Sequence, residues 1–307
     1  MTDTKQTTEE ECDGKCGSCA TSDDCNDQRK KQYEQEQKLK LKLSKIKHKL
    51  AIISGKGGVG KSTVTANLAM AFAMNGHKDE VGVLDADIHG PCIPKMLGLK
   101  GQTLIGGPGG MLFPVVGKLG IKVVSMDFLL PNEEAPVIWR GPLKMRVIQQ
   151  FLSDVTWGEL DYLLVDLPPG TGDEPLSVMQ LIPDLDGVII VTMPSEVSES
   201  VVKKSVTFAK QVGIPVIGII ENMSGFICPD CGAKIDVFKS GGGKRIADDM
   251  AIPYLGSIPL DPKICNDSDG GLSFIVENKT SPATKAFTEI VSKIEQFVQN
   301  RKATGAR

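Results

Sequence analysis

The residues with the plainest chemical capacity form one short run, Gly55-Lys56-Gly57-Gly58-Val59-Gly60-Lys61-Ser62. The run fits G-x-x-x-x-G-K-[ST]. It follows an apolar stretch at Leu50–Ser54 and opens a helical pattern, the setting such a loop requires. The glycines let backbone N–H groups turn inward around phosphate oxygens. Lys61 brings a point charge to the β- and γ-phosphates, and Ser62 offers a hydroxyl to Mg²⁺. The expected ATP-binding set is Gly55, Lys56, Gly57, Gly58, Val59, Gly60, Lys61, Ser62 and Thr63, joined from later in the chain by Gly170 and Asn222.

Carboxylates complete that site. Asp85-Ala86-Asp87 ends one apolar strand and Asp166 ends another, the edge at which an open α/β sheet presents ligand groups. Asp166 is expected to hold Mg²⁺ with Ser62, supported by Asp85, while Asp87 orients the attacking water. The loop Pro168–Asp173 is a candidate γ-phosphate sensor through the N–H of Gly170. Asn222, at another strand end, has an amide with the donor and acceptor to read an adenine edge.

The eight cysteines suggest a second chemistry. Cys228-Pro229-Asp230-Cys231 supplies two thiolates, whereas a tetrahedral zinc site or a four-iron cluster needs four ligands. The missing pair is expected from the same loop of a second subunit. The alternatives are recruitment of Cys92 and Cys265 within the chain, or a redox pair, which would want its first cysteine at a helix N-terminus. Cys12, Cys16, Cys19 and Cys25 make a complete four-thiolate set in one short tail, suited to iron–sulfur or zinc. Cys92 and Cys265 read as ordinary buried thiols.

Positioning these groups requires strands that end together. Short Val-, Ile- and Leu-rich segments at 50–54, 81–85, 121–125, 162–166, 188–192, 216–220 and 254–258 alternate with helical patterns at 61–74, 143–153, 175–181, 198–212 and 243–249. Strands apolar at most positions are covered on both faces. The predicted fold is therefore an α/β, doubly wound, mostly parallel sheet of the P-loop NTPase kind. Residues 101–114 predict a hairpin or loop, and 283–301 a helix with Phe287, Ile290, Val291, Ile294, Phe297 and Val298 on one face. The expected organisation is a Cys-rich metal-binding tail over 1–28, a basic linker helix over 29–49 leading into the first strand, and an ATPase domain over 50–307 with the cysteine loop at 226–232.

The chain has 307 residues, 41% hydrophobic and 24% charged, with a net charge of −3. That balance gives no general reason to expect nucleic-acid binding, and no apolar run is long enough to span a bilayer. The acidic start does not read as a signal peptide. A cytoplasmic protein that binds neither nucleic acid nor membrane is expected.

Lys56, the second lysine of the loop, makes Lys56-Gly57-Gly58-Val59-Gly60-Lys61-Ser62 resemble the deviant Walker A class. The resemblance implies that Lys56 is catalytic and crosses to the phosphates of the opposing subunit. With Asp85 to Pro91, Trp139-Arg140-Gly141-Pro142, Asp166 to Asp173, Glu221 to Ser224 and the Cys228/Cys231 pair, the stretch from about Lys47 to Pro262 resembles the Mrp/Nbp family of iron–sulfur cluster carrier ATPases. That implies a slow, switch-type ATPase with a [4Fe–4S] cluster bridged by Cys228 and Cys231 of two subunits, either a homodimer or a paralogous pair. Apo iron–sulfur proteins are the implied acceptors. The tail cysteines resemble those of the Nbp branch, which implies a second [4Fe–4S] cluster. Cys92 stands where the family usually has serine. Two other functions share the nucleotide loop: a partitioning or positioning ATPase, which would leave most cysteines without a task, and an ATP-driven electron donor.

Overall fold

The structure is a computed structural model and describes residues 27–130, 141–228 and 231–304. In chain order its elements are α1 (Asp27–Leu43), β1 (Ile46–Ile53), α2 (Lys61–Met74), β2 (Val81–Asp85), α3 (Ile93–Met96), β3 (Ile105–Gly106), β4 (Leu112–Phe113), β5 (Val115–Val116) and β6 (Lys122–Ser125). Then come α4 (Gly141–Ser153), β7 (Leu160–Asp166), α5 (Asp173–Leu181), β8 (Gly187–Thr192), α6 (Glu196–Gln211), β9 (Val216–Glu221), β10 (Phe226–Ile227) and β11 (Lys234–Ile235). The chain closes with α7 (Gly242–Met250), β12 (Tyr254–Ser257), α8 (Pro262–Asp269), α9 (Phe274–Glu277) and α10 (Pro282–Thr304).

Eight strands form one sheet in the order β12-β9-β8-β1-β7-β2-β6-β5. Every pairing is parallel except β5 on β6, at the edge. Strands β2, β7, β8 and β9 are buried at every position, which explains why most of their residues are apolar. One core lies under α2, α9 and α10, the other under α1, α4, α5, α6 and α7. Because β1 lies between β7 and β8, the chain leaves it in one direction and returns on its other side. That is the switch point at which a doubly wound sheet opens a ligand crevice.

The doubly wound sheet agrees with the fold class expected from the sequence, and residues 101–114 contain the antiparallel hairpin β3–β4. Other details differ. The first strand begins at Ile46 rather than Leu50, because Lys49 is buried with its partners: its N–H donates to Asp186 Oδ2 at 2.8 Å and its ammonium to the carbonyls of Leu43 and Ile46. The basic helix before it is not solvated all round. Leu39 and Leu43 are buried in the core, and each buried leucine contributes about 1.5–3 kcal/mol. Among the described residues, no helix is long and apolar enough to cross a membrane.

Candidate functional site

The loop after β1 turns into α2 at Gly60, whose φ of 78° is left-handed, a conformation that glycine adopts without strain. A side chain there would also collide, since a Cβ would fall 2.3 Å from Nδ2 of Asn222. Asn222 leaves β9 with its backbone N–H on the Thr192 carbonyl at 2.8 Å, and its side-chain amide donates to the carbonyl of Val59 at 2.9 Å. That bond anchors the phosphate loop on the residue expected to read an adenine edge.

Asp166, at the end of β7, is fully buried and collects three donors from the first turns of α2. Lys61 Nζ stands 2.7 Å and Ser62 Oγ 2.6 Å from its Oδ2, and Thr65 Oγ1 2.6 Å from its Oδ1. Sequence reasoning brought Lys61, Ser62 and Asp166 together but missed Thr65. Its only signal is its place three residues after Ser62, one turn along the same helix face. Thr63 lies in the same first turn, half-buried.

Asp85 is the register partner of Asp166 across β2 and β7. Burial, followed by the Asp166 charge, pushes its carboxyl up to about 8. It accepts from Ser125 Oγ at 3.1 Å and from the backbone of Asp87 and Ile93 at 3.3 and 3.4 Å. Asp87 is half-buried and accepts from Gly90 N–H at 3.3 Å. Ser62 and Asp166 thus offer a hydroxyl and a carboxylate, hard-oxygen donors that suit Mg²⁺, with the Asp85 carboxyl beside them. Lys56 is half-buried with its carbonyl held by Ser54 Oγ at 3.0 Å.

The thiol predictions need correction. Cys265 is exposed, with its sulfur 3.8 Å from Asp269 Oδ2: it faces outward from the short surface helix α8, none of whose residues is buried. Cys92 is half-buried and belongs to the phosphate site. It donates to the Gly90 carbonyl at 2.9 Å and meets the Ser62 hydroxyl, while burial and then the Asp85 charge push its thiol up to about 11. Cys228 and Cys231 lie at the turn between β10 and β11, closed by Cys228 N–H to the Ala233 carbonyl and Gly232 N–H to the Cys228 carbonyl, both 2.9 Å. Both cysteines stand between β10 and β11 rather than at a helix N-terminus, the place the first cysteine of a thioredoxin-like redox pair takes. Among the described residues, the group of potential ligands that lies together is His77, Glu80 and Asp161, which contains no cysteine. Cys12, Cys16, Cys19 and Cys25 lie outside the described residues.

Glu221 stood in the sequence only as part of the motif Glu221 to Ser224, with no role given to it. It is fully buried at the end of β9 and accepts from Ser224 Oγ at 2.5 Å, Gly241 N–H at 2.9 Å and Gly243 N–H at 2.5 Å. One carboxylate therefore fastens both ends of the segment that carries the cysteine hairpin, and the adjacent residue fastens the phosphate loop.

The family model described as the NUBPL iron-transfer P-loop NTPase, of the ParA group, matches residues 45–295. An iron–sulfur cluster carrier protein of Methanocaldococcus jannaschii is 54% identical over 292 residues, covering 95% of this chain and 99% of that protein. A solved nucleotide-binding protein of Archaeoglobus fulgidus in complex with ADP superposes with a TM-score of 0.71 at 42% identity, covering 82% of this chain and 96% of that one. The septum site-determining protein MinD of Pyrococcus horikoshii, solved with Mg-ADP, gives a TM-score of 0.61 at 22% identity over 83% of this chain and 98% of its own, a likeness of fold.

Proposed function

The chain belongs to the NUBPL iron-transfer P-loop NTPase family, and from that membership we propose that it is an ATP-dependent scaffold and carrier that passes a [4Fe–4S] cluster to apo-proteins. The observation that carries the reading is the pairing of Glu221 and Asn222. Adjacent residues hold the two halves of the function, the cysteine hairpin and the phosphate loop. The 54% identical relative named as an iron–sulfur cluster carrier supports the same conclusion.

In this reading Cys228 and Cys231 of two subunits jointly hold the transferable cluster, because one chain brings two of the four thiolates required. Cys12, Cys16, Cys19 and Cys25 hold a second [4Fe–4S] cluster. Nucleotide binding exchanges partners around Asp166. Lys61 trades the carboxylate for phosphate oxygens, while Ser62 and Asp166, supported by Asp85, turn to Mg²⁺, which neutralises charge on the phosphates. Asp87 orients the attacking water. Lys56 of each subunit reaches the phosphates held by the other, where a cation stabilises the charge of a loose transition state. Movement of the phosphate loop shifts Asn222 and, through β9, the Glu221 anchor, so cluster affinity depends on nucleotide state. The setting is cytoplasmic.

Anaerobic reconstitution followed by transfer to an apo-acceptor tests this. With the tail cysteines replaced by serine, the wild-type hairpin should bind one labile cluster per two chains, and Cys228→Ala/Cys231→Ala should bind none. A labile cluster in that double variant would remove the assignment.

A further inference from the structure

One buried basic side chain lies between the two loops that carry the hydrolytic groups. Lys144, in the first turn of α4, is 6% exposed. Its ammonium donates to Glu174 Oε1 at 2.5 Å and also to Nε2 of His89. His89 stands two residues after Asp87, in the loop between β2 and α3, and Glu174 stands four residues after Gly170, in the first turn of α5. The His89 and Glu174 side chains are 56% and 39% exposed, with Nε2 and Oε1 4.0 Å apart. Burial fixes neither of them, so the ammonium is what joins them. A buried ammonium is costly unless its protons are taken up, and here the acceptors come from the Asp87 loop and from the helix turn that the Gly170 loop leads into.

We propose that Lys144 is a positioning residue for ATP hydrolysis: by holding His89 and Glu174 on one ammonium, it makes the Asp87 loop and the Gly170 loop move as a unit. The inference rests on the ATPase reading. Lys144 comes from a helix outside the phosphate loop, so its loss should leave the Lys61–Ser62 cradle intact. What should suffer is the relative placement of Asp87 and Gly170, where a displacement of about 1 Å can cost on the order of 100-fold in rate.

The test is single-turnover ATP hydrolysis with enzyme in excess, alongside ADP affinity and thermal midpoint, for wild type, Lys61→Ala, Lys144→Met, Lys144→Arg, Glu174→Gln and the Lys144→Met/Glu174→Gln double variant. Methionine keeps the aliphatic stem and deletes the charge. Lys144→Met should lower the rate constant about tenfold or more, with ADP affinity and KM within about twofold of wild type, and arginine should recover most of the rate. The double variant should be no slower than the slower single one, because both break the same link. A wild-type rate in Lys144→Met overturns the proposal, as does a loss in which rate, ADP affinity and thermal midpoint fall together. Wild-type turnover abolished by Lys61→Ala secures the ATPase reading separately. A wild type that does not hydrolyse ATP overturns that reading and this inference with it.

Discussion

The backbone N–H of Gly170 donates to the carbonyl of Ser54 at 2.8 Å, tying the loop after β7 to the last residue before the phosphate loop. The same N–H was expected to sense a γ-phosphate. The two roles use one donor, so sensing requires this bond to be exchanged, and the exchange pulls the loop that leads into α5 and Glu174. Gly170 has a φ of 104°, where an L side chain is strained by about 1–3 kcal/mol.

Gly170→Ala should therefore weaken binding of a non-hydrolysable ATP analogue by about tenfold and leave ADP within about twofold, as read by calorimetry. Equal losses for both nucleotides would show that the loop does not respond to the third phosphate.

Asn222 anchors Val59, so Asn222→Ala should cost one hydrogen bond, about 0.5–1.5 kcal/mol. Because the bond is to the phosphate loop, ATP and GTP should lose affinity alike, by about two- to twelvefold. A loss confined to ATP would show instead that the Asn222 amide reads the adenine edge, the role expected from residue type.

Lys56 bears on subunit pairing. Lys56→Ala should keep nucleotide affinity and lose turnover, on the scale of an arginine finger, about 10³-fold or more. Mixing it with Asp87→Asn separates the two geometries. If the lysine acts across the interface, a mixed dimer regains one intact site and activity returns. If mixing restores nothing, Lys56 acts within its own chain or the dimer does not form.

What was legible in the sequence follows a physical division. The P-loop and α2 could be read because glycines and a lysine at fixed spacing are local demands, and α2 runs over Lys61–Met74 as predicted. The start of β1 could not be, because Lys49 looks solvated until Asp186 is folded against it from 137 residues away. Glu221 and Lys144 were hidden for the same reason: their partners are set by tertiary contact, and residue type gives no sign of it. Edge strand β5, two residues long and antiparallel, is too short to show a period. Cys92 was visible as a departure from serine, yet only the fold places its sulfur beside Ser62.

Asp85 gives a pH prediction. Its carboxyl is raised from 3.8 to about 8 by burial and by the neighbouring Asp166 charge. Between those values the folded protein holds a proton that the unfolded chain has released. Stability should therefore fall as pH climbs from about 4 through about 8, by up to about 1.4 kcal/mol per unit from this group, and level off above. Urea unfolding of wild type and Asp85→Asn from pH 5.5 to 9, without nucleotide or Mg²⁺, should show that component of the slope in wild type alone. Identical slopes would mean that Asp85 is ionised in the fold at neutral pH.

Glu221 concerns the cysteine hairpin itself. Its carboxylate is fully buried and receives three donors, so Glu221→Ala strands two backbone N–H groups and a hydroxyl, at about 1–3 kcal/mol each before relaxation. Glu221→Gln keeps the shape but replaces one acceptor oxygen with a donor, so it should lie between alanine and wild type. The loss should be local, since these donors flank residues 225–240, whereas the phosphate loop is held by Asn222, Asp166 and α2. ADP affinity should accordingly stay within about threefold while the half-life of a reconstituted cluster on Cys228 and Cys231 shortens, more for alanine than for glutamine. If cluster lifetime is unchanged in Glu221→Ala while thermal stability falls, the carboxylate supports the fold without setting the grip of the thiols. If ADP affinity collapses in parallel with cluster lifetime, β9 acts as one rigid unit whose two ends cannot be loosened separately.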